Sequence, residues 1–305
     1  MKPYDEVVTD AAVSDSGLFV THRVDSKLLF EIPEEMLDRE MILVSRRART
    51  AEDYGYGGMK NNTQTVRWQR QDDRILLRVV SHEIVADDSL PIYEAVRAAT
   101  FEPIVGAFDI QATNGDSSAV VVDVTELFTK DVPMLGIGRG TRERYSVRSL
   151  DEDRSYVASV KSFPRNVEVR HVLTYQADEP PSNSSTGTLS LEMNHSMVLL
   201  PDDPMQPRLW DERVGYFSIE QVDYGRSDQR VVERRYITRW RLEPSDTAAF
   251  RRGELVEPVE PIVYYIDPAT PMKWRPYLKQ GVEDWQPAFE AAGFRNAIIA
   301  KDPPS

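Results

Sequence analysis

The sequence predicts an α+β fold, in which a largely antiparallel, β-rich body is followed by a single strand–helix–strand unit. Three observations support this prediction. Stretches rich in β-branched residues, bounded by turn residues, recur through residues 1–252. Helical periodicity is confined to a few segments, and the longest of these lies near the carboxyl end. The length of 305 residues is enough for about two domains.

Strands account for most of the body. They are predicted at 74–85, 118–128, 155–160, 166–175 and 187–200. The clearest alternation spans residues 230–242, where one face carries Val232, Tyr236, Thr238, Trp240 and Leu242. Arg234 interrupts this face, and the other face carries Glu233, Arg235, Arg239 and Arg241, which predicts a solvated, basic strand surface.

Short helices interrupt the strands. One is predicted at 89–99, with Ser89 as its cap, and another at 245–252, with Ser245 as its cap and Gly253 as its end. The prolines of residues 253–261 mark a boundary, so we predict a β-rich domain at 1–252 and a second domain at 253–305. The sequence leaves open a division of the first domain into two subdomains near residues 85–105.

The carboxyl-terminal segment has a different pattern. A compact apolar strand at 261–267 precedes a helical stripe formed by Trp274, Leu278, Val282, Trp285, Phe289 and Ala292. Gly293 can end this helix in the left-handed conformation, and a second strand follows at 296–300. Two strands joined by a helix predict a parallel pair. Pro287 lies inside the stripe and predicts a kink.

Composition excludes several classes of protein. Fifty acidic residues against 37 basic ones give a net charge of −13, which disfavours nucleic acid and anionic membranes as partners. There is no cysteine, so disulfides and thiolate ligands are excluded. No apolar run is long enough for a transmembrane helix, and residues 1–10 do not form a signal peptide.

Histidines do not form a recognisable metal motif in the sequence. His82-Glu83 resembles the start of a His-Glu-x-x-His zinc site, but the second histidine position is Ala86. His195 follows Glu192 on a predicted strand, where a spacing of three places the two side chains on opposite faces. The remaining histidines, His22 and His171, stand alone. We therefore predict no catalytic residue, no metal ligand and no cofactor within this chain.

Blocks spread along nearly the whole chain carry a resemblance to a known family. The most specific is LPDDPMQPRLWDERVGYF (200–217). Others are GLFVTH (17–22), FEIPEEMLDREMILVSRRA (30–48), YGYGG (54–58), VVDVTELF (121–128), SFPRNVEVR (162–170), RLEPSD (241–246) and residues 253–299. The chain resembles the N-terminal region of large bacterial zinc-dependent metalloproteases of the metzincin type. The N-terminal domains of that family are catalogued mainly as domains of unknown function.

The resemblance implies a function for the whole protein rather than for this segment. Residues 253–305 would begin the catalytic domain, and the zinc-binding helix would lie further along. The chain would then be an accessory or pro-region, inactive alone, of an exported enzyme that is periplasmic, outer-membrane-associated or extracellular. Its expected partners are the C-terminal protease portion with its zinc ion and a protein or peptide substrate.

Six residues are candidates for a cleft or a structural role: Asp211, Arg213, Tyr216, Trp274, Trp285 and Phe289. In a cysteine-free chain a zinc-latency ligand would have to be Asp or His, and Asp211 is the candidate. The competing interpretation is that Asp211 and Arg213 form a structural ion pair or cap a turn. A stand-alone peptide- or glycan-binding module remains the alternative function for the chain.

Overall fold

A computed structural model describes residues 1–226 and 231–303 of the chain. These residues are β-rich, with mostly antiparallel sheets and few helices, so the predicted α+β class is confirmed. They form two compact units: unit 1 is Met1–Pro204 with Gln221–Glu233, and unit 2 is Met205–Glu220 with Arg234–Ser305. The predicted domain boundary at 252/253 falls inside unit 2. The division into an accessory and a catalytic domain stays a prediction.

Unit 1 is built on one twelve-stranded sheet, in the order β1-β2-β3-β9-β8-β6-β5-β4-β13-β12-β10, with β11 pairing with β12. The described pairings in this sheet are antiparallel. Its strands are β1 Val13–Ser16, β2 Val20–Val24, β3 Lys27–Pro33, β4 Glu40–Arg49, β5 Lys60–Gln71, β6 Arg74–Val80, β8 Ile104–Thr113, β9 Ala119–Asp123, β10 Val147–Leu150, β11 Tyr156–Phe163, β12 Asn166–Ala177 and β13 Thr188–Leu199.

Other elements of the chain are shorter. Unit 1 also contains β7 Ile84–Val85, which pairs in parallel with the end of β14 Ser218–Asp223. The strand β15 Val232–Ile237 completes a three-stranded sheet in the order β15-β14-β7. The helices of unit 1 are α1 Tyr4–Val7, α2 Ile92–Ala99, α3 Thr125–Thr129 and α4 Arg139–Arg144. None of the described helices has the length and apolar character needed to cross a bilayer.

The core of unit 1 is aromatic and fully buried. Trp68 lies against Phe19, Phe30 and Phe108, with ring centroids 5.6 to 6.3 Å apart. Its indole N–H donates to the sulfur of Met197 at 3.2 Å, so the buried polar atom is satisfied. Alternate residues of β4 and β12 supply the rest of this core, as the period of two predicts.

Two predictions within unit 1 were partly wrong. The strand predicted at 118–128 ends at Asp123 because the Asp123 carboxylate accepts from the backbone N–H of Thr125 at 3.0 Å, and this turn starts helix α3. The predicted strand at 74–85 is interrupted between β6 and β7. Helix α2 confirms the predicted 89–99 helix without a Ser89 cap, since Ser89 bonds to Asp87 instead.

Unit 2 contains α5 Thr247–Arg251, β16 Ile262–Tyr265, α6 Arg275–Glu283, α7 Gln286–Ala291 and β17 Ile298–Lys301. The strands β16 and β17 pair in parallel, which confirms the predicted strand–helix–strand unit. The predicted single helix is instead two helices. Pro287 stands in the first turn of α7, where a backbone N–H would have no acceptor within the helix, so a proline is tolerated there. Gly293 ends α7 with φ of 95°, as predicted.

The alternating segment 230–242 is a strand only over Val232–Ile237, and Arg230 lies outside the described residues. The prediction was wrong for 238–242. There Leu242 packs against a small core of Ala249, Val256, Phe294 and Ala297, so the chain leaves the ladder. Helix α5 is capped by Asp246, whose carboxylate accepts from Ala249 N–H at 2.9 Å, rather than by the predicted Ser245.

Candidate functional site

Unit 2 contains a half-open cavity of about 770 Å³, which is within the size range of small-ligand sites. We call it the aromatic cavity. Its walls come from the segment before β14, the segment after β15, α5, the strand pair and the two carboxyl-terminal helices. They are Arg208, Tyr216, Arg239, Trp240, Leu242, Pro244, Phe250, Tyr264, Gly281, Val282, Trp285, Ala288, Phe289, Ala292, Phe294 and Ile298.

One face of the helix pair forms a wall of the aromatic cavity. Gly281, Trp285, Ala288 and Ala292 recur at spacings of four, three and four, which is the period of a single helical stripe. The break between α6 and α7 therefore leaves one continuous face towards the cavity. Gly281, Ala288 and Ala292 have small side chains, so this face of the helix pair fills little of the cavity.

Aromatic rings dominate the remaining walls. Trp240 and Tyr264 meet edge to face, with centroids 6.3 Å apart and planes at 73°. Phe250 and Phe294 lie with ring centroids 5.1 Å apart, and Phe294 also belongs to the small core of unit 2. Such an aromatic lining favours a ligand that has an apolar or flat group.

Two arginines make the aromatic cavity electropositive. Arg208 is exposed and Arg239 is partly buried. Burial, together with the nearby positive charge of Arg208, lowers the pKa of Arg239 from its ordinary value. An Nη atom of Arg239 donates to the carbonyl of Gln206 at 2.9 Å, which fixes its guanidinium. No Asp or Glu belongs to the described lining.

Three of the six predicted site residues line this cavity: Tyr216, Trp285 and Phe289. The Tyr216 carbonyl accepts from the Trp210 indole N–H at 3.1 Å, which holds the loop carrying Tyr216 in place. Trp285 is 64% exposed despite its place in the predicted apolar stripe. Phe289 packs partly against the small core.

The other three predicted residues lie elsewhere. Asp211 accepts from the Arg213 guanidinium at 2.8 and 2.6 Å and from the Arg213 backbone N–H at 3.0 Å, the ion pair and turn of the structural interpretation. The pKa of Asp211 is lowered first by the side-chain hydrogen bond from Arg213. Trp274 is about half exposed and contacts Tyr277 and Lys273.

Comparison with known families matches two domains of unknown function. The DUF5118 model matches residues 1–50, and the DUF5117 model matches residues 58–245, which is more than half of the chain. The chain belongs to the DUF5117 family. No curated protein and no solved structure matches it. Neither family description names an activity, so the metzincin resemblance stays a prediction.

The aromatic cavity lies only partly within the DUF5117 match. Arg208, Tyr216, Arg239 and Trp240 belong to the matched residues, whereas Trp285 and Phe289 follow them. Sequence reasoning missed the two arginines, because Arg239 was assigned to a solvated strand face and Arg208 was not singled out. The adjacent pair Arg239-Trp240 was the one available signal, since a cation beside an exposed ring is typical of binding surfaces.

Each of the four histidines of this DUF5117 chain forms a hydrogen bond with another group of the protein. His82 bonds to Glu40 at 2.8 Å, and His22 bonds to Ser14 at 2.7 Å and to Glu31 at 3.1 Å. Across residues 1–226 and 231–303, no three His, Asp or Glu side chains converge in a way that could hold a metal ion.

A hydrogen-bonded histidine pair is buried in unit 1. His171 and His195 join through their Nε2 atoms at 2.7 Å, and Ser45 Oγ lies 2.8 Å from His195 Nδ1. The Phe128 carbonyl can only accept, so His171 Nδ1 carries a proton and its Nε2 accepts from His195. Ser45 then donates to His195. Burial lowers the pKa of His171 to about 4 and that of His195 well below its ordinary value.

Proposed function

We propose that this chain is the non-catalytic N-terminal region of an exported zinc-dependent metalloendopeptidase of the metzincin type. The supporting observation is the parallel pair of β16 and β17, joined through α6 and α7. That arrangement matches the strand–helix–strand start of the catalytic domain that the sequence resemblance implies. Unit 1 would then be the accessory part that precedes it.

The surface of the strand pair supports this proposal. Parallel sheets are normally covered on both faces and contain several strands. Here Tyr264 is 45% exposed and Tyr265 57% exposed, on a sheet of only two described strands. Additional strands of a catalytic domain would extend this sheet at its edges, and the helices that connect them would cover the exposed ring of Tyr265.

Zinc chemistry is not assigned to any residue of this chain. The described side chains do not form a zinc site, so the proposal places the ligands and the water-activating base in the protease portion. Asp211 is held by Arg213, which leaves its carboxylate poorly placed for a latency role.

Two measurements test the proposal. The genomic reading frame beyond the Ser305 codon should continue into a helix with a His-Glu-x-x-His motif. The purified 305-residue chain should bind no stoichiometric zinc by elemental analysis and should leave casein intact. A stop codon directly after Ser305, or zinc-dependent casein hydrolysis by the chain itself, contradicts the proposal.

The aromatic cavity favours a second candidate function, a stand-alone module that binds a peptide or a glycan. Its supporting observation is the combination of exposed rings and two arginines around one half-open cavity. The two functions differ in what they require, because the module would bind its ligand with no protease portion present.

A further inference from the structure

Arg208 and Arg239 differ from most other arginines of unit 2 in having no acidic partner. Neither has a carboxylate within 4 Å among the described residues. Six neighbours in the same unit do have one: Arg213 with Asp211, Arg235 with Glu220, Arg241 with Glu243, Arg252 with Glu254, Arg275 with Asp302 and Arg295 with Glu257. In a chain with 50 acidic residues, this leaves a local positive site beside the aromatic cavity.

We propose that the aromatic cavity binds a peptide segment in which an aromatic side chain stands next to a carboxylate. The ring would enter between Trp240, Trp285 and Tyr264, and the carboxylate would meet the arginine pair. Guanidinium groups recognise carboxylates through paired N–H donors, and ring–ring contacts favour a flat apolar group. This inference rests on the second candidate function, binding at the cavity, and is independent of the protease proposal.

Charge complementarity selects this occupant over a neutral glycan. A neutral sugar could stack on the tryptophans, but it would leave the positive charge of Arg208 and Arg239 uncompensated. Burial and the charge of Arg208 already disfavour the protonated form of Arg239, so a negative ligand group relieves that repulsion. The volume of about 770 Å³ fits one large side chain with its adjoining residues rather than a long polymer.

Gly281 offers a way to block the aromatic cavity without disturbing its walls. It lies on the cavity-lining stripe of α6, and a Cβ atom added there would meet no heavy atom within 4 Å. Alanine at this position adds one methyl group and keeps most of the volume. Leucine extends further into the space next to Trp285 and Val282.

The test is isothermal titration of the full 305-residue chain with three short peptides. Acetyl-Gly-Phe-Asp-Gly-amide should bind, whereas its Phe-Asn and Ala-Asp counterparts should bind about tenfold more weakly or not at all. Binding of the Phe-Asp peptide should weaken as salt is raised, because part of the attraction is between charges.

Matched variants locate the binding. Arg239→Gln and Arg208→Gln should each weaken the Phe-Asp peptide about tenfold. Arg251→Gln removes the same charge from α5 outside the cavity and should have no effect. Gly281→Leu should abolish binding, because the added side chain takes up space in the aromatic cavity. Circular dichroism and thermal unfolding of each variant verify the fold.

Each remaining outcome contradicts the inference. Equal binding of the Phe-Asp and Phe-Asn peptides removes the role of the carboxylate. Inorganic phosphate that competes as strongly as the peptide makes the site a general anion site. Binding of chitohexaose that is blocked by Gly281→Leu, without peptide binding, keeps the module function and overturns its peptide ligand. No binding of any probe overturns the module function as well, while zinc and casein assays still decide the protease proposal.

Discussion

Units 1 and 2 use the same aromatic residues in opposite ways. In unit 1, Trp68, Phe19 and Phe30 are completely buried in one core. In unit 2, Trp240, Trp274 and Trp285 are each more than half exposed. Contiguous patches of exposed apolar groups, such as the rings around the aromatic cavity, are typical of surfaces that contact a ligand or another polypeptide. The difference therefore separates side chains that stabilise the fold from side chains available for binding.

The largest difference between the units should appear when one tryptophan in each unit is replaced by alanine. Trp68→Ala should lower the free energy of unfolding by about 3–5 kcal/mol, because it leaves a cavity in a close-packed core. Trp285→Ala should lower it by about 1 kcal/mol or less, because the ring is mostly solvated already. Urea denaturation followed by circular dichroism measures both. Similar losses for the two variants would remove the contrast between the units.

Acid should selectively destabilise unit 1 through the histidine pair. The folded pKa of His171 is about 4, below its ordinary value of 6.5, so the unfolded chain takes up the proton first as pH falls. The stabilising contribution is complete above pH 6.5 and is lost between pH 6.5 and about 4. For His171 alone it is on the order of 3 kcal/mol. Urea unfolding at steps across this range measures the slope.

A direct reading of the buried histidine pair provides the check on this pH effect. Because His171 variants can misfold, NMR titration of the wild-type rings supplies a direct reading. Ring signals of His171 and His195 that titrate near pH 6.5 would contradict the assignment.

A smaller effect is expected at the attachment of the N-terminal segment to unit 1. The hydroxyl of Tyr4 donates to Glu31 at 2.6 Å, and His22 contacts the same carboxylate oxygen. Tyr4→Phe should lower the free energy of unfolding by about 1–2 kcal/mol, since the bond is to a charged acceptor. The pKa of Glu31, held down mainly by the His22 hydrogen bond and also by Tyr4, should rise. Limited proteolysis near residues 8–12 should accelerate. An unchanged cleavage rate would show that this bond does not hold the segment.

The smallest effect should come from Gly281→Ala in unit 2, and it should be stabilising. Glycine inside a helix is destabilising by roughly 0.5–1 kcal/mol relative to alanine, and the added methyl group has open space. Thermal unfolding should shift upwards, in contrast to every substitution in the core of unit 1. A downward shift would mean that the stripe of α6 is already closely packed.

Local patterns predicted most of the fold. The strand predicted at 166–175 and the strand–helix–strand unit near the carboxyl end were both confirmed. Local patterns failed where one contact changed the chain direction. Asp123 starts a turn that no strand propensity reveals. Proline disrupts the interior of a helix but is tolerated in its first turn, and the sequence pattern did not show that a new helix begins beside Pro287.

The candidate site was less predictable. Trp285, Phe289 and Tyr216 were identified because large aromatic residues stand out in any pattern. Arg208 and Arg239 were not identified, because whether an arginine has an acidic partner depends on which carboxylates lie near it in the folded chain. The sequence contains enough acidic residues to pair with every arginine, and the folded chain decides which arginines are left without one.

The bonded series from Ser45 through His195 and His171 to Phe128 joins β4, β13, β12 and α3, segments that are distant along the chain. Its two ring protons, one on each imidazole, belong to side chains that are 1% exposed. They should exchange with deuterium when the segments around them separate. The exchange rates of these ring protons would therefore report how often unit 1 opens around the histidine pair, which the exchange of surface amides does not report.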